Sequence, residues 1–133
     1  MRAVDEAVVD KFRRIYSAIQ RGDSASLQED LAHDIEWVLP DTVPWGGVHH
    51  GHLGVAAMYE IFSEHVDGIW ADPDELVEAP EAVVILGRIS GRGRATGEPF
   101  EVDFAHLWRM REGVPSSFRA YYDTAPITAV LGG

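Results

Sequence analysis

The chain has 133 residues, 22 acidic against 11 basic for a net charge of −11, and it contains no cysteine. That length suits one domain over residues 1–133, able to bury roughly two thirds of its unfolded surface without covalent staples. The charge repels phosphate backbones and anionic lipid, so neither nucleic acid nor a membrane surface is an expected partner, and the missing thiols exclude cysteine nucleophiles and cysteine-ligated metals.

In chain order, the opening MRAVDEAVVDKFRR is charged and amphipathic, lacking the apolar centre of a signal peptide. No stretch of about 18 apolar residues follows that would span a bilayer, and the expected location is cytoplasmic. From Asp5 to Gln20, Val8, Phe12, Ile15, Tyr16 and Ile19 recur at helical spacing and predict a first helix with one face on the core. Gly22 ends it, and Asp23 or Ser24 caps a short second helix through Leu27 and Leu31. Asp34 to Leu39 then reads as a strand, with Trp37 and Leu39 on one face and Glu36 and Val38 on the other.

Pro40 to Gly51, PDTVPWGGVHHG, is broken by prolines and glycines and predicts an irregular lid carrying Trp45 and His49 over a pocket. His49, His50 and His52, with Asp41 nearby, are ligand types that suit zinc or iron, but adjacent histidines on a loop converge poorly on one ion, and no metal is expected. A third helix over His52 to Val66 turns Val55, Met58, Tyr59, Phe62 and Val66 inward. Asp72-Pro73-Asp74 reads as a turn, Glu75 to Ala79 and Ala82 to Ile89 as strands, and Gly91, Gly93 and Gly97 as a mobile hairpin.

The most informative stretch is Glu98 to Asp123. Phe100, Val102, Phe104, His106, Trp108 and Met110 alternate with Glu101, Asp103, Ala105, Leu107 and Arg109, so one row is apolar apart from a histidine. Arg111, Glu112 and Gly113 supply a turn, and Ser116 to Asp123 return as a strand on which Arg119, Tyr121 and Asp123 share a face. If that face meets the histidine row, His106, Asp123 and Tyr121 form a titratable group in an apolar wall. The other reading of His106 and Asp123 is a structural hydrogen bond between adjacent strands. Ala125 to Gly133 is apolar and suits a short turn of helix.

Helices first and strands last give an α+β domain, a curved, mostly antiparallel sheet wrapped by three helices. The helix ending R-G-D, the L-A-H-D-I-E-W strand entry, the H-H-G-H opening of the third helix, and H-L-W-R-M-R-E-G before F-R-A-Y-Y-D together resemble the nuclear-transport-factor-2-like (NTF2-like) superfamily, in its SnoaL-like and ketosteroid-isomerase-like branch. The resemblance covers nearly the whole chain and implies a cone-shaped α+β barrel of the cystatin type. It is weak for activity, because the superfamily holds isomerases, cyclases, dehydratases, hydrolases and proteins without a reaction. Matched to ketosteroid isomerase, the family's oxyanion tyrosine falls near Ile15, its base aspartate at Leu39 and its protonated aspartate at His106, so none is present; Tyr16 and Asp41 lie one and two residues away. Matched to limonene-type epoxide hydrolase, Asp123 falls on a family carboxylate and Arg88 is the counterpart of its arginine, while the second aspartate has no match.

The expectation is therefore a homodimer formed through the outer sheet face, with a small apolar or aromatic molecule held among Phe12, Tyr16, Trp37, Leu39, Met58, Tyr59, Phe62, Phe104 and Trp108. Its function would be cofactor-independent isomerase, cyclase, lyase or hydrolase chemistry by a His106–Asp123 proton-transfer pair. The alternative is a non-catalytic ligand-binding or assembly domain.

Overall fold

The computed structural model describes residues 5–132; Met1 to Val4, at the head of the charged N-terminal stretch, and Gly133 lie outside them. Helix α1 (Glu6–Arg21) is capped by the Asp5 carboxylate, which accepts from the Ala7 N–H at 2.8 Å, and ends at Gly22 as expected. The spacing read from the sequence holds: Phe12, Ile15, Tyr16, Ala18 and Ile19 are buried. Asp23 caps α2 (Ser24–Glu29) by accepting from the Ser26 N–H at 3.1 Å. That helix stops short of Leu31, which is buried in the turn that follows.

Six strands form one open sheet in the order β2-β1-β6-β5-β4-β3. They are β1 (Glu36–Leu39), β2 (Gly47–His50), β3 (Val66–Ala79), β4 (Ala82–Gly93), β5 (Pro99–Arg111) and β6 (Val114–Tyr122), with α3 (Gly51–His65) between β2 and β3 and α4 (Ala125–Leu131) at the end. Every pairing is antiparallel except β1 with β6. The sheet curves around α1 and α3 as a cone, the α+β architecture expected.

Three expectations about local structure are corrected. Part of the predicted lid is regular: β2 pairs with β1, Trp37 opposite His49. Asp72-Pro73-Asp74 is not a turn but a bulge inside the 14-residue β3, with the register shift between Pro73 and Glu75. There the bent backbone lies so close to Gly87 that an added Cβ would sit 2.2 Å from the Asp72 carbonyl oxygen, so a side chain at 87 would forbid the curvature. The glycines Gly91 and Gly93, read as a mobile hairpin, belong to β4, which runs on past Ile89.

The alternation on β5 is as read. Phe100, Val102, Phe104, His106 and Trp108 are buried, whereas Glu101, Asp103 and Arg109 are exposed and Ala105 and Leu107 partly so.

Candidate functional site

Between α1 and β5 the interior is filled by aromatic rings. Phe12 meets Trp108 edge to face at 5.2 Å between ring centres, and Tyr16 stacks with Phe104 at 6.3 Å. These four residues, expected to line a ligand pocket, instead form core between α1 and β5.

His106 sits at the edge of that core, 5% exposed and stacked on Phe104 at 3.9 Å. The Trp108 indole N–H donates to the Tyr16 hydroxyl oxygen at 3.1 Å, and that oxygen lies 2.5 Å from His106 Nδ1. An indole can only donate, and Nδ1 is the acceptor that the described residues offer the phenolic proton, so that proton points at Nδ1. Burial pushes the imidazole pKa down to about 3 and the Tyr16 hydroxyl well above its usual range, the latter opposed by the Trp108 hydrogen bond. The ring is therefore neutral at physiological pH, with Nδ1 as acceptor and the proton on Nε2. The opposite tautomer would have Nδ1–H donate to the hydroxyl oxygen and leave the Tyr16 proton without an acceptor among the described residues. A run of donors, Trp108 to Tyr16 to His106, thus ends in an Nε2–H.

His106 also lines a cavity of about 60 Å³. Trp37, Leu39, Phe118 and Tyr122 form the wall from β1 and β6; Met58, Tyr59 and Phe62 come from α3; Trp45 covers one side. Ile19, Ile69, Ala71, Ile89, Phe100 and Ile127 complete it, and among the described residues no carboxylate or cationic side chain takes part. Burial raises the pKa of the Tyr59 hydroxyl above its usual range, and that of Tyr122 likewise with Trp45 opposing, so both phenols stay protonated. Trp45 is 2% exposed against the Phe62 ring at 4.8 Å, and its carbonyl oxygen accepts from His49 Nε2 at 2.9 Å. His49 thus anchors the covering loop from behind rather than lining the cavity.

The proposed His106–Asp123 pair is not assembled. Across β5 and β6, His106 faces Ala120, and Tyr121 faces Ala105 on the opposite side of the sheet. The reason is one residue: Met110 pairs Pro115 but Arg109 pairs Ser117, so Ser116 is a bulge that reverses which row of β6 faces inward. Tyr121 is 50% exposed under the Arg119 guanidinium, and the exposed Asp123 carboxylate accepts from the Ala125 N–H at 3.0 Å, where α4 begins. Seven of the expected lining residues do meet at the cavity: Trp37, Leu39, Trp45, Met58, Tyr59, Phe62 and His106. Missed as lining were Phe118 and Tyr122, hidden by the same bulge, and Ile19, Ile69, Ala71, Ile89, Phe100 and Ile127, whose approach to the cavity only tertiary structure reveals.

A profile of the SnoaL-like domain family matches residues 12–114. Two solved structures are similar over nearly their whole length: an NTF2-like protein of unknown function from Burkholderia pseudomallei (29% identity, 95% of this chain and 98% of that one, TM-score 0.88) and an NTF2-like protein from Burkholderia xenovorans (32%, 97% and 98%, 0.82). The fold is also shared by TerC, co-crystallised with polyporic acid (23% identity, 93% and 97%, TM-score 0.86). No curated protein matches the chain.

Proposed function

This chain belongs to the SnoaL-like domain family of NTF2-like proteins, and from that membership we propose that it binds a small, largely apolar molecule in the cavity beneath Trp45, with the His106 Nε2–H as a polar contact. The observation that carries this reading is the neutral imidazole held by Tyr16 at the wall of an apolar cavity. TerC, which shares the fold, is co-crystallised with polyporic acid, and this lends support to small-molecule binding.

The chemistry follows from the protonation states. With the His106 pKa near 3 and Nδ1 occupied by the Tyr16 proton, the ring offers a hydrogen-bond donor rather than a base at neutral pH. A water's share of volume is about 30 Å³ and a benzene-binding cavity is about 150 Å³, so the free space as it stands suits a very compact molecule. Larger ligands need Trp45 or Ile127 to yield. The α4 helix that carries Ile127 is held by a 2.6 Å hydrogen bond between the Thr42 and Thr124 hydroxyls.

A second reading, cofactor-independent isomerase, cyclase, lyase or hydrolase chemistry, is favoured by the preorganised donors. A carbonyl oxygen that gains charge in the transition state would be stabilised by the His106 Nε2–H, with Tyr16 and Trp108 behind it. Proton abstraction would then fall to the substrate or to water.

Xenon tests the binding reading whatever the natural ligand is. Under xenon pressure the methyl resonances of Met58 and Ile127 should shift, while that of Ile35, fully buried away from the cavity lining, stays in place. Absence of any selective shift would contradict an accessible apolar cavity.

A further inference from the structure

The loop carrying Trp45 and helix α4 carrying Ile127 both contribute to the cavity lining, and they are held by unequal means. The loop is fixed from several sides. Trp45 and Val43 are buried, the Trp45 ring packs edge-on against Phe62, and its carbonyl is tied to His49 on β2. That strand is itself paired with β1. Moving Trp45 therefore exposes two buried side chains and disturbs the edge of the sheet.

Helix α4 has a lighter hold. Its seven residues are too few to persist as a helix without packing, and Ile127 is its one fully buried side chain, with Val130 and Leu131 partly so. Two exposed hydroxyl bonds tie it to the fold: Thr42 with Thr124 at 2.6 Å, and Thr96 Oγ1 donating to the Val130 carbonyl at 2.6 Å. Water can replace either partner, so breaking them costs little. At the other end of the same element, Asp123 accepts from the Ala125 N–H and Pro126 stands in the first turn. The helix start is thus preformed just beyond β6, where the chain can turn without unwinding it.

Resting on the binding reading above, we propose that α4 is the door of the cavity. It swings on Asp123 and Thr124, withdraws Ile127, and admits molecules too large for the closed space of about 60 Å³, while Trp45 stays where it is. The size limit on a ligand is then set by how readily one short helix leaves, and not by the aromatic wall.

The chain has no cysteine, so an engineered pair can latch this door. A Cβ added at Gly132 would lie 3.6 Å from that of Ala95, within disulfide reach. The probe is naphthalene, larger than the benzene that occupies a cavity of about 150 Å³, and its uptake is followed at the Met58 methyl. In oxidised Ala95→Cys/Gly132→Cys uptake should slow on the order of tenfold or more and recover on reduction with dithiothreitol, with xenon binding unaltered. Gly93→Ala should act in the reverse sense, because its added Cβ would sit 1.9 Å from the Val130 carbonyl oxygen and prop the helix away. In the parent, whatever the variants' stability, the Thr128 amide should exchange on the order of tenfold faster than the Gly46 amide after correction for intrinsic rates. Both amides donate to backbone carbonyls at 2.9 Å, so bond length does not distinguish them. Equal uptake in the oxidised and reduced forms, no gain in Gly93→Ala, or Gly46 exchanging ahead of Thr128 would overturn the door and leave the cavity. Naphthalene excluded from every form while xenon still shifts Met58 would overturn it equally, by showing that α4 stays shut. If xenon itself does not reach Met58, the binding reading fails and the door falls with it.

Discussion

Tyr16 on α1 and His106 on β5 stand 90 residues apart in sequence and meet at 2.5 Å, phenol oxygen to Nδ1. This bond joins the helical layer to the sheet and also fixes which nitrogen of the ring faces the cavity. Replacing Tyr16 by Phe removes the donor to His106 and the acceptor of the Trp108 indole at once. Two buried groups lose partners, so unfolding free energy measured with urea should drop by roughly 2–5 kcal/mol with little change in slope. A cost within error of zero would show that the relay does not form in solution.

Acid stability supplies a second expectation. The folded-state pKa of His106 is depressed to about 3 from an ordinary 6.5, so between those values the unfolded chain holds a proton that the folded chain lacks. Stability from this group is complete above pH 6.5 and is lost as pH falls, at up to roughly 1.4 kcal/mol per unit. Asp23 and Asp34, whose pKa values are lowered from 3.8 by Ser26 and Arg111 respectively, add their own losses only in more acidic solution. Denaturation at pH 7 and pH 5 should therefore show a steeper decline for the parent than for His106→Gln. Parallel declines would mean that the ring is not shielded from water.

How much of this site is legible in the sequence turns on single residues. The alternation from Phe100 to Trp108 is a period-2 signal strong enough to place His106 on the core face, and the spacing of Phe12, Ile15, Tyr16 and Ile19 puts Tyr16 on the buried side of α1. What joins them is not legible, because helix periodicity gives a face but no partner. The β6 face is misread because Glu112 and Gly113, both at positive φ, make a tight hairpin from which simple counting brings Tyr121 and Asp123 inward. The extra residue, Ser116, reverses the rows, and nothing in VPSSF marks which residue is the bulge. Pro73 misleads in a similar way, since a proline flanked by aspartates suits a turn and a strand bulge alike.

The covering loop depends on a close backbone approach. An added Cβ at Gly46 would lie 1.9 Å from the Pro40 carbonyl oxygen. Gly46→Ala should therefore cost about 1–3 kcal/mol through forced displacement, with the larger part of the change near Trp45. Hydrogen exchange of residues 40–47 should accelerate relative to the parent, and unchanged exchange with full stability would show that the loop is less closely packed than described.

On the outer sheet face Leu86, Ala105 and Tyr121 lie side by side across β4, β5 and β6, with Leu86 37% and Tyr121 50% exposed. We propose that a second copy covers this strip. Sedimentation at micromolar concentration should give twice the chain mass for the parent and the single-chain mass for Tyr121→Glu. A monomeric parent, or a variant that remains dimeric, would contradict this interface.

The central claim, a neutral His106 presenting its Nε2–H to the cavity, is most directly tested by long-range proton–nitrogen correlation of the imidazoles at pH 7. Nδ1 of His106 should show the shift of an unprotonated nitrogen and Nε2 that of a protonated one, a pattern that Tyr16→Phe weakens. Two protonated nitrogens, or a proton resident on Nδ1, would contradict the account.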